Sequence, residues 1–176
     1  MKNYNNANIK LSHQRILDGL KFSGAIEIGH GAEGIAYRYG GLVIKISVHK
    51  NFETSFKKMD EISIHKDYRC IAKVIDCGTL FGYDYSIKEY LNPISDKIKY
   101  DIDAYIDSLD IEKDPDFDPI YNLFLNRKKI KYDNFNSNLL FMFDEYQSLI
   151  SKAGVDSDIG YGNMGIDNTG LIKSFD

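Results

Sequence analysis

Three glycines, Gly29, Gly31 and Gly34, stand in a G-x-G-x-x-G pattern between two segments that alternate like β-strands. A turn without Cβ atoms lets the backbone approach a phosphate chain and point its amides at the charged oxygens. A Rossmann-type site would place a helix after the glycines, whereas a strand-like segment, residues 35–39, follows here. The pattern therefore predicts a phosphate-binding turn or, since plain hairpins also use glycine, an ordinary β-turn.

Lys45 lies in a run of β-branched residues, 42–47, that reads as a strand. Burying a lysine among such residues is unfavourable unless an anion accompanies it. Glu61, in the helical segment that follows, is the predicted partner, and Glu53 is the alternative. If the strand lies at an edge of the sheet, Lys45 simply points into water.

Near the C-terminus, Asp158 and Asn163 flank the residues Ile-Gly-Tyr-Gly, and the sequence ends in Ser-Phe-Asp176. Asp158 is suited to orient an attacking hydroxyl, while Asn163 and Asp176 offer the hard oxygen ligands that Mg²⁺ prefers. Taken singly, Asp and Asn beside glycines are typical of turns. Tyr161, inside this segment, is a candidate for substrate contact.

The elements that must position these residues follow from hydrophobic periodicity. Helices are expected over residues 8–22 and 52–66, where apolar residues recur at helical spacing. Gly40 and Gly41 mark a hairpin turn. The pattern predicts an α+β region in which a five-stranded antiparallel sheet carries one helix. Its strands are expected near residues 25–28, 35–39, 42–47, 72–77 and 83–91.

The C-terminal part is predicted to be mainly helical. Pro93 marks a connector after the last strand, and helices are expected around residues 98–109 and 138–152. The Asp- and Pro-rich run at residues 114–119 is predicted to be a solvated connection. Short strands and turns are expected from residue 165 onward, and residues 94–135 contribute no motif.

In this order along the chain, the segments resemble the motif set of the protein-kinase-like superfamily. The resemblance covers most of residues 24–91 and 139–176. It implies a two-lobed α+β fold, with residues 1–91 as the N-lobe and residues 92–176 as a reduced, mainly helical C-lobe. ATP and Mg²⁺ are the cofactors that it implies. The matching residues are Gly29, Gly31, Gly34 and Ala36 of the glycine loop, Lys45, Glu61, the adenine-binding segment Glu89 to Leu91, Asp158, Asn163 and Asp176.

The sequence departs from that family at several positions. The His-Arg pair that usually precedes the catalytic Asp is replaced by Asp156 and Ser157, and a common lysine is replaced by Gly160. Lys88 lies near the back of the implied adenine pocket, where an apolar residue is usual, unless the strand is shifted by one residue. Since the sequence ends at Asp176, the activation segment and peptide-binding helices are expected to be missing.

Two functions are consistent with these residues. One is an ATP/Mg²⁺-dependent phosphotransferase whose acceptor is a protein, a small molecule or the domain itself. The other is a catalytically inactive, pseudokinase-like module that binds nucleotide, a protein partner or both. An unrelated α+β domain with chance matches is the third interpretation. Asp158 separates the first two, because only phosphotransfer requires its carboxylate.

Composition narrows the remaining possibilities. Among 176 residues, 26 are acidic and 22 basic, and the net charge of −4 argues against a general nucleic-acid binder. A bilayer span needs about 20 consecutive apolar residues, and neither such a run nor a signal-peptide core is recognisable in the sequence, so a cytoplasmic protein without membrane attachment is expected. The two cysteines, Cys70 and Cys77, are expected to be reduced. The Lys-, Asn- and Ile-rich composition suggests an AT-rich genome such as that of a phage.

Overall fold

The computed structural model describes residues 3–66, 68–133, 136–156 and 158–175, with side chains from residue 13 onward. The described residues form two compact units. The first unit contains residues 3–66 and 73–90, and the second unit contains residues 68–72 and 91–175. The short segment 68–72, which the sequence assigned to the N-terminal half, therefore belongs with the C-terminal residues.

The first unit is built on an antiparallel sheet of five strands in the order β1-β2-β3-β5-β4. This arrangement confirms the predicted α+β class and the predicted five-stranded sheet. Because β3 lies in the centre, Lys45 is not on an edge strand. The strands are β1 (Ile26–His30), β2 (Gly34–Tyr39), β3 (Leu42–Ser47), β4 (Val74–Leu80) and β5 (Tyr83–Glu89).

Two helices cover the sheet. Helix α1 (Asn3–Phe22) is longer than predicted and packs its described apolar residues, Leu17 among them, on one face of the sheet. Helix α2 (Ser55–Ser63) packs against β4 and β5 and begins at the N-cap Thr54. Side chains alternate along a strand, so the central strands present residues to both faces, whereas the residues of β1 are all exposed. The core under α1 consists of Leu17, Ala25, Ile35, Tyr37, Ile46 and Tyr83.

The second unit is mainly helical, as predicted. Helices α3 (Asp96–Ser108) and α5 (Ser137–Ala153) confirm the two helices expected there. Between them lies α4 (Pro119–Asn126), which was not predicted. A small antiparallel sheet joins β6 (Asn92–Pro93), β7 (Met164–Ile166) and β8 (Ile172–Ser174). Buried residues of the three helices include Ile102, Ile106, Ile120, Leu123, Phe124, Leu140, Phe143, Tyr146 and Leu149.

Helix α4 begins inside the acidic run that was interpreted as a connection. Asp118 is its N-cap and accepts a hydrogen bond from the Ile120 amide at 2.9 Å, and Pro119 is its first residue. Asp followed by Pro at the start of an apolar segment is a helix-start signal. The prediction of a solvated connection was therefore wrong for Asp118 and Pro119. The run had been interpreted from its acidic charge alone, and the helix-start signal within it was overlooked.

Candidate functional site

The glycine turn, residues 29–34, connects β1 to β2 and is closed by a hydrogen bond from the Gly31 amide to the Gly34 carbonyl at 2.9 Å. A Cβ atom at Gly29 would meet nothing within 4 Å, and one at Gly31 only the Gly34 carbonyl oxygen at 4.0 Å. Gly34 differs, because a Cβ there would lie 2.9 Å from the Ile46 carbonyl oxygen. Gly34 is therefore required by strand packing, while the missing Cβ positions of Gly29 and Gly31 face open space.

Lys45 is half-buried in the middle of β3, between Ala36 of β2 and Ser86 of β5 in the register of the sheet. Its Nζ lies 4.7 Å from the centroid of the Phe56 ring on α2. Such a contact with an aromatic face stabilises an ammonium group without neutralising it. The predicted nucleotide-binding residues Ala36 and Lys45 are therefore neighbours on the sheet surface that faces α2.

The buried acid of α2 is Asp60 rather than Glu61. The Asp60 carboxylate is fully buried and lies 2.9 Å from the Nζ of Lys88 on β5. The Glu61 side chain is 53% exposed and pairs with Lys57 at 3.6 Å. Glu53, the alternative partner, is 61% exposed and pairs with Lys58 at 3.4 Å.

Helical phase explains this difference. The buried residues of α2 are Phe56, Met59, Asp60 and Ser63, which recur at three- and four-residue intervals. Glu61 is one residue further along and points about 100° away from that face. The structure also accounts for Lys88, which lies where an apolar residue was expected. Its Nζ is paired with the buried carboxylate of Asp60. The pairing of Lys45 with Glu61 stays a prediction.

A second polar network anchors the first turn of α2. The buried carboxylate of Asp84 accepts hydrogen bonds from the Thr54 amide at 3.0 Å and from the Thr79 hydroxyl at 2.8 Å. Lys57 lies 3.4 Å from the same group. Burial alone would raise the pKa of Asp84, but the hydrogen bonds and the Lys57 charge outweigh it and hold the pKa below its ordinary value.

The predicted adenine-binding segment starts at the end of β5. The Glu89 amide donates to the Lys73 carbonyl at 3.0 Å, and the Glu89 carboxylate accepts from the Lys73 amide at 2.9 Å. The Tyr90 amide donates to the Gly41 carbonyl at 2.8 Å. Leu91, the first residue of the second unit after this strand, is fully buried. Main-chain and side-chain contacts thus fix the backbone on both sides of residue 89.

In the second unit, the structure brings Asp158 and Asn163 together. The Nδ2 of Asn163 donates to the Asp158 carbonyl at 3.0 Å, and the Asp158 side chain is exposed. The Asn163 carbonyl accepts from the Phe175 amide at 2.7 Å and from the Ser174 hydroxyl at 3.3 Å. The end of β8 is therefore fixed beside Asn163. Asp176, the other predicted metal ligand, lies outside the described residues.

Two acids that the sequence analysis missed hold this loop. Asp118 accepts from the Tyr161 amide at 3.3 Å, and a Cβ atom at Gly160 would lie 3.6 Å from its carboxylate. The Tyr161 hydroxyl donates to Asp103 of α3 at 2.8 Å. Burial, followed by this hydrogen bond, raises the pKa of Tyr161. Tyr161, predicted as a candidate substrate contact, is thus an anchor between the loop and α3.

The hairpin of β7 and β8 is held by a similar device. Asp167 pairs with Lys173 at 3.0 Å and accepts hydrogen bonds from the Thr169 and Leu171 amides. Burial would raise the pKa of Asp167, yet these contacts lower it below its ordinary value. On the other edge of β8, the Ser174 amide donates to the Cys70 carbonyl at 2.7 Å. The strand that leads to residue 176 is therefore anchored along both edges.

The described residues were also compared with what disulfides, metal sites and membrane spans require. Both cysteines are free thiols, and burial raises the pKa of Cys77 to about 11 and that of Cys70 further. Across the described ranges, His, Cys, Asp and Glu side chains form no cluster of three or more that could hold a metal ion. No helix in the described part of the chain combines the length and apolar character that a membrane span requires.

Comparison with known proteins finds a protein kinase domain among the solved structures that match the chain. No family model matches the chain, and no curated protein matches it. The kinase domain of PknI from Mycobacterium tuberculosis is similar in structure, with a TM-score of 0.43 and 14% sequence identity. The match covers 85% of this chain and 56% of that one, so the chain spans little more than half of the PknI domain.

Proposed function

We propose that this chain has a protein-kinase-like, two-lobed fold and is an ATP- and Mg²⁺-dependent phosphotransferase. In the first unit, the glycine turn and the ammonium of Lys45 would bind the phosphates of ATP. The space at the missing Cβ positions of Gly29 and Gly31 supports a phosphate site there, and Lys45 is half-buried beside Phe56. The backbone at Glu89 and Leu91 would hold the adenine.

The observation that carries the proposal is the organisation of the loop from residue 158 to residue 163. The Nδ2 of Asn163 donates to the Asp158 main-chain carbonyl while the Asp158 side chain is exposed, and the Phe175 amide donates to the Asn163 carbonyl. Asn163 and Asp176 would therefore hold Mg²⁺ through oxygen atoms. The Phe175 bond extends the ladder of the β7–β8 hairpin by one residue pair beyond Met164 and Ser174, so this hairpin sets the position of Asn163.

The reaction would transfer the γ-phosphoryl group of ATP to a hydroxyl. Bound Mg²⁺ would neutralise charge on the β- and γ-phosphate oxygens. Asp158 would orient the acceptor hydroxyl and take its proton as the new phosphorus–oxygen bond forms, and ADP would leave with the electrons of the bond that breaks. Lys45 would hold the phosphates of the leaving nucleotide in place.

The test compares D158N with D156N, a matched control that removes the same charge from an exposed aspartate two residues before Asp158. ATP–Mg²⁺ binding is measured by calorimetry and phosphoryl transfer with labelled ATP. We expect D158N to bind ATP within about twofold of wild type but to transfer label on the order of 10²–10⁴ times more slowly. Equal transfer by D158N and wild type, or a wild type that binds no ATP, would contradict the proposal.

A nucleotide-binding, pseudokinase-like module is the second candidate, and one observation favours it. Gly160 replaces a lysine that would neutralise the transferred phosphoryl group, and the nearest side chain to its missing Cβ is the carboxylate of Asp118. The surroundings of this position are thus acidic, which opposes phosphotransfer. Tight ATP binding without label transfer to protein, small molecule or the chain itself would select this candidate.

A further inference from the structure

Glu33 is the acidic residue of the glycine turn, and its side chain is bound to the start of α2. Its carboxylate oxygens accept hydrogen bonds from the Ser55 amide at 3.0 Å and from the Ser55 hydroxyl at 3.0 Å. Ser55 is the first residue of α2, directly after the N-cap. The first amides of a helix have no partner within the helix, and its N-terminal end carries partial positive charge. The contact therefore satisfies both the carboxylate and the helix end.

The main chain of Glu33 is fixed as well. Its carbonyl accepts from the Val48 amide at 3.0 Å, just after β3 ends. The next residue, Gly34, starts β2 and its carbonyl accepts from Gly31. The tip of the turn is thus held from the sheet by its backbone and from α2 by a side chain.

We propose that Glu33 is a positioning residue that couples the order of the glycine turn to the order of α2. A turn rich in glycine loses much conformational entropy when it is fixed. The Glu33 contact offsets this loss of entropy in the ligand-free protein. A phosphate chain would therefore bind to a turn that is already ordered. This consequence for ligand binding rests on the function proposed above, whereas the coupling itself rests only on contacts within the first unit.

The contact can also be removed by changing Ser55, which donates both hydrogen bonds to Glu33. In S55P, both donors to Glu33 are lost, yet proline is favoured at the first position of a helix. The preceding residue, Thr54, has φ −83° and ψ 152°, a conformation that a residue before proline readily adopts. Helix α2 is therefore expected to form in S55P while the turn loses its anchor.

The experiment measures hydrogen exchange of the ligand-free full chain. We expect the amides of Gly31 and Val48 to exchange about tenfold or more faster in both E33A and S55P. E33Q keeps an acceptor oxygen and should stay within about threefold of wild type. D18A, which removes an exposed carboxylate from α1, serves as the control for charge loss. Amides of β5 report global stability and should be unchanged.

Unchanged exchange of Gly31 and Val48 in S55P, with β5 protected as in wild type, would overturn the coupling. If E33A unfolds globally, the exchange rates of Gly31 and Val48 in S55P alone test the coupling. Adding E33A to S55P should give no further acceleration, because both remove the same contact, and additive effects would also overturn it.

A parallel titration with ATP–Mg²⁺ separates this inference from the proposed function. If wild type binds, E33A and S55P should weaken binding about five- to tenfold, with E33Q and D18A close to wild type. Accelerated exchange without weakened binding would overturn the preformed-turn step. A wild type that binds no ATP would contradict the proposed function and leave the exchange result to judge the coupling.

Discussion

Under the proposed function, Lys45 is the residue of the first unit whose charge should matter most for nucleotide binding. Lys45 is on the central strand β3, and its Nζ lies over the ring of Phe56 on α2. We expect K45M to lower ATP–Mg²⁺ affinity by about 10- to 100-fold, the loss that follows when a charge-assisted hydrogen bond is removed. Calorimetry checks this, with K58M as the matched control, since Lys58 lies on α2 beside the exposed Glu53. Equal losses in the two variants would mean that net charge, not Lys45, governs binding.

The contact between Tyr161 and Asp103 indicates that Tyr161 contributes to stability. Its hydroxyl donates to Asp103, which the phenylalanine variant would leave without this partner. We expect Y161F to lower the free energy of unfolding by about 1–3 kcal/mol, the cost of removing a hydrogen bond to a charged group. Urea unfolding measures it, and the ATP affinity should be unchanged. A variant of wild-type stability with altered turnover would return Tyr161 to the role of substrate contact.

At the scale of elements, α2 depends on a buried ion pair. Removing one partner of such a pair leaves an uncompensated charge, whereas replacing both with apolar residues is often close to neutral. We therefore expect K88M to lower the free energy of unfolding by about 3–5 kcal/mol, and D60L/K88M to recover most of that loss. Denaturant titrations of the two variants and wild type measure this. A double variant no more stable than K88M would show that Asp60 is stabilised mainly by other groups.

The turn between β4 and β5 offers a stabilising change. Phe81 has φ +53° and is 65% exposed, and Gly82 follows with φ +85°. Two-residue hairpin turns with positive φ favour Asn-Gly, and a bulky residue in this region is strained. We expect F81N to raise the free energy of unfolding by about 0.5–1 kcal/mol. The melting temperature reports the change, and a lower value would mean that the Phe81 ring contributes packing that outweighs the strain.

Elements were predicted from the sequence far better than contacts. The five strands and helices α3 and α5 follow from alternation and helical spacing, which depend on local residues alone. Helix α4 was missed because its start signal, Asp118 and Pro119, lies in a run dominated by charge. Asp60 was missed because it and Glu61 are adjacent on α2, and a shift of one residue decides which carboxylate is buried. Packing of α2 on the sheet determines this, and the sequence pattern alone does not.

At the scale of the molecule, both units contain an aspartate whose folded-state pKa is lowered. Asp84 belongs to the first unit and Asp167 to the second. Groups of this kind contribute stability that is fully present above the unfolded pKa, about 3.9. The contribution is lost as pH falls through that value toward the lowered pKa, since protonation breaks the bonds to Thr54 and Thr169. Both units should therefore lose stability in acid.

D84N makes this prediction specific. The substitution removes the titrating group, so at pH 7 we expect a free energy of unfolding about 1.5–3 kcal/mol below wild type. The gap should narrow as pH is lowered from 5 to 3, because only wild type still has this carboxylate to protonate. D18N, which changes an exposed aspartate of the same unit, should follow the wild-type profile. Urea titrations at several pH values measure the gap. A gap that stays constant across this range would mean that Asp84 keeps the same charge in the folded and unfolded states, and that its network stabilises α2 through neutral hydrogen bonds alone.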